Sequence, residues 1–249
     1  MAGHSHWAGI KHKKAVIDAK RGKLWSKLAR NIIVAAKDGG GDPMMNLSLR
    51  YAIDKAKDAN MPKDSIEKAV KRGSGDLEGA DYEEVLYEGY GNNGVAIMCE
   101  VLTDNRNRTA GELRHIFDKK GGSLGAGGCV AWMFKKKGLF TVEAGAIEEE
   151  PLLELALEAG ADDVELNDDV YEITCSVEAF EQVKNTLQEK EIPTKVAEIS
   201  QVPSNYVVLD EDGSRKIQDL METLEDHDDV QNVYANFDIP TEIMQKIEE

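Results

Sequence analysis

Nine lysine, arginine and histidine side chains lie within residues 11–30 of this sequence. They are Lys11, His12, Lys13, Lys14, Lys20, Arg21, Lys23, Lys27 and Arg30. Cations spaced along a segment in this way bind the phosphates of a polyanion, and the release of condensed counterions supplies much of the affinity. We therefore predict that these residues bind nucleic acid. The alternative is a solvated face whose lysines only keep the protein soluble.

The charge of the chain is divided between its N-terminal segment and the rest. Residues 1–72 hold 16 Lys and Arg against 7 Asp and Glu, a net charge of +9. The remaining residues hold 14 basic and 40 acidic side chains, a net charge of −26. One basic region on an acidic body predicts that one end meets a polyanion while the other end stays away from it.

A second candidate phosphate site lies at Arg106 and Arg108, where a predicted strand passes into a helix. The N-terminus of a helix favours anions, so two arginines there are locally unfavourable unless something negative is bound. A phosphate would satisfy both arginines. Pairing with Asp104 and Glu112 would satisfy them equally well, and the sequence leaves both interpretations open.

Residues 130–137, which read VAWMFKKK, combine aromatic side chains with lysines on a predicted strand. This mixture resembles a platform on which bases stack between cations. We favour the alternative of a strand that turns Trp132 and Phe134 into the core and protects its edge with lysines. Trp7 has the same two options, stacking on a base or packing on the third helix.

Patterns typical of enzymes are missing from the sequence. The glycines of residues 121–128 fit neither a dinucleotide-binding nor a P-loop motif, so we interpret them as a hinge or crossover. The acidic runs read as solvated faces, although a metal-dependent phosphodiesterase is a distant alternative. The histidines form no zinc-protease motif. We predict no catalytic residue, no metal ligand and no cofactor.

Cysteine usage and hydropathy point to the cytoplasm. Cys99, Cys129 and Cys175 are far apart and odd in number, as expected for free thiols in a reducing compartment. No stretch is long enough to span a bilayer, and the N-terminus lacks the apolar core of a secretory signal. We expect no membrane partner. The oligomeric state is not encoded in any pattern that we recognise.

The elements that position these residues begin with helices. Trp25, Leu28, Ile32 and Ala35 recur at helical spacing, and the glycines at 39–41 end that helix. A second apolar stripe runs from Leu49 to Ala56, and a third helix is predicted from Pro62, at its first position, to Gly73. Residues 11–22 have weaker periodicity and predict an extended arm or a frayed helix that orders on binding.

From Tyr82 onward the pattern changes to α+β. Residues 84–90 and 95–102 predict a hairpin, followed by a helix with Leu113 and Phe117 inward. Residues 129–202 predict a βαββαβ unit of the ferredoxin-like kind, with its first strand over 130–142. The last stretch, a strand from Tyr206, a helix over 216–224 and a strand over 230–237, is expected to complete the sheet begun at Glu84.

This layout predicts an α+β protein of three domains. The first is an N-terminal helical bundle over residues 1–76 that carries the basic cluster. Two ferredoxin-like α+β domains follow: a central one over residues 77–128 plus 203–249, and an inserted one over residues 129–202. A chain of 249 residues is also too long for a single small core.

Several blocks of sequence, in order, resemble the YebC/PmpR family. The similarity begins at Met1-Ala2-Gly3-His4-Ser5 and covers most of the first 140 residues. The other blocks are residues 18–23 (DAKRGK), 39–43 (GGGDP), 60–62 (NMP), 87–91 (YEGYG), 103–109 (TDNRNRT) and 121–125 (GGSLG). Cys129 stands where the family usually has Ser, and Gly9 where a polar residue is more usual.

The resemblance implies the same three-domain organisation and a cytoplasmic regulator of gene expression. Family members are described as DNA-binding transcriptional regulators, and related members act as translation factors on the ribosome. DNA and ribosomal RNA are thus the two candidate partners, with the ribosome itself as a further one. A scaffold that docks only proteins is a third possibility. No helix-turn-helix spacing is evident, which favours recognition of RNA shape or backbone.

Overall fold

The structure of the protein is a computed structural model that describes residues 18–78, 81–167 and 170–248. The candidate residues Lys11, His12, Lys13 and Lys14, together with Trp7, lie outside these described residues. The α+β class predicted from the sequence is confirmed, with helices first and antiparallel sheets after them.

Three helices form the first unit, which we call the head. They are α1 (Asp18–Gly39), α2 (Leu47–Asp58) and α3 (Lys63–Gly73). Leu28, Ile32, Leu49, Ile53 and Ile66 meet in its core, as their helical spacing predicted. Pro62 precedes α3 as its N-cap instead of occupying the first helical position, a difference of one residue.

The turn between α1 and α2 is fixed by one buried side chain. Asn46 Oδ1 accepts a hydrogen bond from the Leu49 amide and caps α2, while Asn46 Nδ2 donates to the carbonyl oxygens of Ala35 and Gly40. A side chain at Gly39 would collide with Asn46. The glycine run therefore ends α1 and also makes room for the cap of the next helix.

The central unit is a four-stranded antiparallel sheet with two helices on one face. Its strands are β1 (Glu83–Tyr90), β2 (Ala96–Thr103), β3 (Ser123–Leu124) and β9 (Val230–Ala235), and its helices are α4 (Arg106–Lys119) and α7 (Glu211–Glu225). The strand order is β3-β1-β2-β9, and β1 and β2 form the predicted hairpin. β9 pairs with β2 and so completes the sheet, as expected.

This central sheet has the spatial arrangement of a ferredoxin-like domain with a different chain order. β2, α4 and β3 form a split βαβ unit, and β1 lies between the two strands. In the usual connection the intervening strand follows the βαβ unit, whereas here it precedes it as the first arm of the hairpin.

The inserted unit follows the usual βαββαβ connection. Its elements are β4 (Phe134–Glu143), α5 (Glu149–Glu158), β5 (Ala161–Asn167), β6 (Val170–Cys175), α6 (Phe180–Glu189) and β7 (Thr194–Pro203). The antiparallel order β5-β6-β4-β7 is that of a split βαβ fold. Phe140, Ile173 and Phe180 lie in its core between the sheet and the two helices, and the rings of Phe140 and Phe180 stack with centroids 4.9 Å apart.

Three sequence predictions about these elements need correction. The first inserted strand begins at Phe134, because residues Ala131–Met133 form a 3-10 turn. The strand near Tyr206 is β8 (Val207–Val208), which among the described residues pairs with β10 (Phe237–Asp238) and not with the central sheet. The helix predicted from residue 216 begins five residues earlier, because Asp210 caps the amide of Gly213.

A C-terminal helix, α8 (Thr241–Glu248), packs on the central core through Met244 and was not predicted. Its short length and the charged residues on both sides of Met244 hide its periodicity.

The glycine-rich crossover between the central and inserted units is held by Glu88 of β1. This carboxylate is buried and accepts hydrogen bonds from the amides of Gly128, Val130 and Ala131 at 2.5, 2.7 and 2.7 Å. Burial raises the pKa of Glu88, but the three amides outweigh it and lower the pKa below its usual value. The crossover is therefore fixed to the sheet by a buried negative charge.

Candidate nucleic-acid interface

Three of the predicted phosphate-binding residues lie on one face of α1 and meet the end of α7. We call Lys23, Lys27 and Arg30 the docked face. Lys23 Nζ donates to the carbonyl oxygen of Asp226 at 3.0 Å, and Lys27 Nζ donates to that of Glu225 at 2.6 Å. The Arg30 guanidinium donates to the carbonyl oxygen of Asp228. Carbonyls at the end of a helix carry partial negative charge, so this face is already occupied by favourable partners.

Asp229 is the charged centre of the contact. It is 3% exposed, and its carboxylate accepts hydrogen bonds from Arg108 Nη2 and Thr109 Oγ1, both at 2.7 Å. Arg30 Nη1 lies 3.3 Å from its other oxygen. Burial raises the pKa of Asp229, but the hydrogen bonds from Arg108 and Thr109 and the charges of Arg108 and Arg30 lower it overall.

Arg30 is the residue that joins the head to this centre. Besides Asp229 and the Asp228 carbonyl, its guanidinium lies over the ring of Tyr82, with the central carbon 5.4 Å from the ring centroid. Only 18% of its side chain is exposed. Its predicted role in binding phosphate would require this contact to open.

The two arginines of the second candidate site separate. Arg108 pairs with Asp104 at 2.9 Å and with Asp229 at 2.7 Å, and its Nε lies 4.0 Å from Glu112. Arg108 is therefore paired with carboxylates, as the second interpretation of the sequence proposed. Its additional partner Asp229 lies 121 residues away, so the sequence did not suggest it. Arg106 is exposed, and no described carboxylate lies within ion-pair distance of it.

A histidine and two carboxylates of this network come within metal-binding distance of one another. Donor atoms of Glu112, His227 and Asp229 lie within 4.8 Å of each other, and His227 Nε2 is 2.9 Å from Glu112. Two arginines already neutralise Asp229. The arrangement is therefore that of an ion-pair network at a domain contact, where a cation would have to displace a guanidinium.

The head also reaches the inserted unit. Lys55 of α2 lies 3.8 Å from Glu198 of β7. A hydrogen bond with Glu181 of α6 contributes to the raised pKa of Tyr51, after the larger effect of burial. The head is thus in contact with both α+β units through pairs of opposite charge.

A different set of cations in the head is exposed and was missed in the sequence. Lys68, Lys71 and Arg72 stand at positions i, i+3 and i+4 of α3, opposite the buried Ile66 and Ala69. We call them the open face. All three are exposed, and none has an acidic partner within 4.0 Å among the described residues. Their i, i+3, i+4 spacing is visible in the sequence, but it is a weaker charge signal than the denser N-terminal cluster.

Lys20 and Arg21 lie in the first turn of α1, where the sequence allowed either an extended arm or a helix. Residues 18–22 are helical; the rest of that predicted arm lies outside the described residues. Together with Lys11, His12, Lys13 and Lys14, they stay predicted phosphate contacts.

Trp132 contradicts the interpretation that we favoured for residues 130–137. Its side chain is 74% exposed, whereas Phe134 is buried as expected. The 3-10 turn at Ala131–Met133 breaks the alternation of a strand, so that Val130, Met133 and Phe134 pack against the central sheet while Trp132 points to solvent.

Comparisons with known proteins agree with this architecture. Residues 5–76 match the family model described as the TACO1/YebC protein N-terminal domain, and residues 82–237 match that of the TACO1/YebC second and third domain. A protein of Dictyoglomus thermophilum named "Probable transcriptional regulatory protein" is 57% identical over 99% of this chain and 100% of its own. A protein of Natranaerobius thermophilus with the same name is 55% identical over 98% and 99%.

A solved structure has the same fold. The crystal structure of a conserved hypothetical protein from Aquifex aeolicus superposes with a TM-score of 0.84 at 51% sequence identity, and the match covers 96% of this chain and 99% of that one.

The helical head and the two α+β units agree with the N-terminal, second and third domains that the two family models describe. The two family models together match well over half of the chain, and the curated relatives are similar over their full length. The chain belongs to the TACO1/YebC family, which confirms the resemblance seen in the sequence. No helix within residues 18–78, 81–167 and 170–248 is both long and apolar enough to cross a bilayer.

Proposed function

We propose that the protein is a cytoplasmic, non-enzymatic regulator of gene expression that binds nucleic acid through its head, with promoter DNA as the first candidate target. The observation that carries this proposal is the division of charge, +9 over residues 1–72 against −26 over the remainder. The names of the relatives, which call them probable transcriptional regulatory proteins, support the regulatory part.

The binding surface that we propose consists of the open face and the N-terminal cluster. Lys68, Lys71 and Arg72 are exposed and unpaired among the described residues, so that phosphates can reach them without breaking a contact. Lys11, His12, Lys13, Lys14, Lys20 and Arg21 extend the positive charge along the chain. Lys23, Lys27 and Arg30 are not included in this surface, because they contact the acidic body and hold the head on it.

A translation factor that binds ribosomal or transfer RNA is the second candidate. The observation in its favour is that the open face presents only lysine and arginine on the last turns of a short helix. Such side chains bind phosphates and recognise backbone shape, whereas sequence readout in a DNA groove also uses amide side chains aimed at base edges.

The test uses the full chain and its variant Lys13→Gln/Lys14→Gln/Lys20→Gln/Arg21→Gln. Affinity for labelled duplex DNA and for structured RNA is measured between low and moderate salt. We expect weaker binding and a shallower slope of log affinity against log salt, by roughly 0.7 to 0.9 for each lost phosphate contact. An unchanged slope would contradict the assignment of these residues.

Crosslinking in cells, with sequencing of the bound nucleic acid, separates the two targets. Recovery of promoter DNA supports the first candidate. Recovery of ribosomal RNA together with co-sedimentation on ribosomes supports the second. Sustained cleavage of the labelled nucleic acid, abolished by EDTA, would show the phosphodiesterase that we set aside.

A further inference from the structure

Trp132 occupies a rigid position and yet contributes little to any core. Its side chain is 74% exposed, while the residues around it are held firmly. Trp132 Nε1 donates to the carbonyl oxygen of Cys129 at 3.0 Å, and the Tyr90 hydroxyl donates to the same oxygen at 3.1 Å. A tryptophan usually buries a large area, so an indole fixed in solvent has a free aromatic face and a low entropic cost of binding.

The support beneath this indole is the buried carboxylate of Glu88. It binds the amides of Val130 and Ala131, the two residues before Trp132. Met133 and Phe134, the two residues after it, are buried against Ala96, Met98 and Tyr234 of the central sheet. The turn is therefore fixed on both sides, and only the indole projects from it.

Two unpaired lysines follow directly. Lys137 pairs with Asp162 at 3.1 Å, whereas Lys135 and Lys136 are exposed and have no acidic partner within 4.0 Å among the described residues. Lys135 and Lys136 follow Trp132 by three and four residues, so their backbones lie within about 14 Å of its own. Because successive side chains of a strand point to opposite faces, the two lysines lie on opposite faces of the segment next to the indole. Two exposed cations within four residues of an exposed aromatic ring contrast with the strongly negative net charge of residues 73–249.

The lysines lie on a segment of β4 that has a strand on one side only. β7 pairs with β4 from Phe134 onward, but β6 pairs with it only from Gly138. Phe134–Lys137 and the facing residues 200–203 therefore form a two-stranded ribbon between the central and inserted units. On the other edge of Phe134–Lys137, no strand is paired among the residues that the structure describes.

We propose that Trp132, Lys135 and Lys136 form a second nucleic-acid contact, which binds an unpaired nucleotide. The base stacks on the indole, and the two lysines bind the phosphates on either side of it. The inference rests on the proposed function but adds a site outside the head and a preference for single strands. Stacking needs a base freed from its neighbours, whereas the open face needs only phosphates.

The test compares Trp132→Ala, Trp132→Phe and Lys135→Gln/Lys136→Gln in the full chain. Matched controls are Leu157→Ala, which removes another exposed apolar side chain, and Lys119→Gln/Lys190→Gln, which removes two other exposed lysines. The probes are fluorescein-labelled oligouridylate and oligodeoxythymidylate, and a duplex of mixed sequence. Thermal melts followed by circular dichroism establish that each variant is folded.

We expect Trp132→Ala to weaken binding of both single strands roughly 5- to 100-fold, with less effect on the duplex. Trp132→Phe should retain part of the affinity. Lys135→Gln/Lys136→Gln should lower the salt slope for single strands by about 1.4. Both controls should bind like the wild type. A stronger effect on oligouridylate identifies RNA as the source of the nucleotide, and a stronger effect on oligodeoxythymidylate identifies DNA.

Failure of this inference differs from failure of the proposed function. If Trp132→Ala binds single strands as tightly as the wild type while the four-residue head variant is weaker, the second contact is wrong and the head assignment stands. An equal loss on duplex and single strands also overturns it, because stacking on an unpaired base would not act on a duplex. If the wild type binds none of the probes, the proposed function itself is wrong.

Discussion

The head has two cationic faces, and they have opposite surroundings. The docked face of Lys23, Lys27 and Arg30 meets the carbonyls at the end of α7 and the carboxylate of Asp229. The open face of Lys68, Lys71 and Arg72 meets solvent. Both carry the same residue types at helical spacing. Composition therefore identifies which helices are cationic, but the element packed opposite decides whether the charge holds the protein together or is available to a ligand.

Removal of the Asp229 carboxylate is the substitution with the largest expected effect on the docked face. Asp229→Ala leaves Arg108 and Thr109 without their buried acceptor and Arg30 without its carboxylate. We expect a loss of about 2–4 kcal/mol in the free energy of unfolding, moderated because Arg108 is partly exposed and regains water. Urea unfolding of the full chain measures it.

The neighbouring Asp228 supplies the matched control. Its side chain is 69% exposed and lies 3.9 Å from Lys23. Asp228→Ala keeps the backbone carbonyl that Arg30 uses, so it should change stability by less than about 0.5 kcal/mol. Equal losses in the free energy of unfolding for the two variants would mean that the buried Asp229 stabilises the contact no more than the exposed Asp228 does.

Acid should loosen the docked face and the crossover together. Asp229 and Glu88 both have lowered pKa values in the folded state. Each therefore adds stability above its unfolded pKa, near 4, and this stability is lost as the pH falls through the folded pKa. Below about pH 4, the free energy of unfolding should fall by up to about 1.4 kcal/mol per pH unit for each group.

The variants Asp229→Asn and Glu88→Gln assign this acid sensitivity to its sources. Each should flatten the curve of unfolding free energy against pH below about pH 4, because the neutral amide does not titrate. Chemical denaturation at a series of pH values gives the curve. A slope as steep as that of the wild type in both variants would place the acid sensitivity elsewhere.

Binding experiments compare the two faces directly. Lys68→Gln/Lys71→Gln/Arg72→Gln should weaken binding of duplex DNA or structured RNA about tenfold or more and lower the salt slope by roughly 2 to 2.7 for three contacts. Lys23→Gln/Lys27→Gln should leave the slope unchanged, because their partners lie within the protein. The reverse result would mean that the head leaves the body when nucleic acid binds.

Sequence reasoning predicted the fold well where the signals were local. The apolar stripes of α1–α3 and the hairpin of β1 and β2 follow from periodicity and turn residues. The β8–β10 pair could not be predicted in this way, because strands of two residues show no alternating pattern. Its two strands are also thirty positions apart in the sequence. Trp132 was misassigned because a 3-10 turn breaks the period of two that the prediction assumed.

The site was harder to predict than the fold, for a related reason. The sequence identified Lys23, Lys27 and Arg30 as cations on one helix, but their partners at 225–229 lie about two hundred residues away. Arg108 likewise pairs with a residue far away in the sequence, Asp229. The sequence shows how many cations a segment carries. Whether those cations can reach a ligand depends on which residues pack against them in the folded protein.

The smallest expected effect concerns a single bond of the docked face. Lys27→Met keeps most of the length of the side chain but removes the donor to the Glu225 carbonyl at the end of α7. We expect a loss of about 0.5–1 kcal/mol, because the carbonyl regains water while the net hydrogen bond and the favourable interaction with the helix dipole are lost. Urea midpoints measure it against those of Lys57→Met, which removes a lysine that pairs with Asp54 on its own helix. A larger loss for Lys57→Met would show that the carbonyl contact adds no more than an exposed surface pair does.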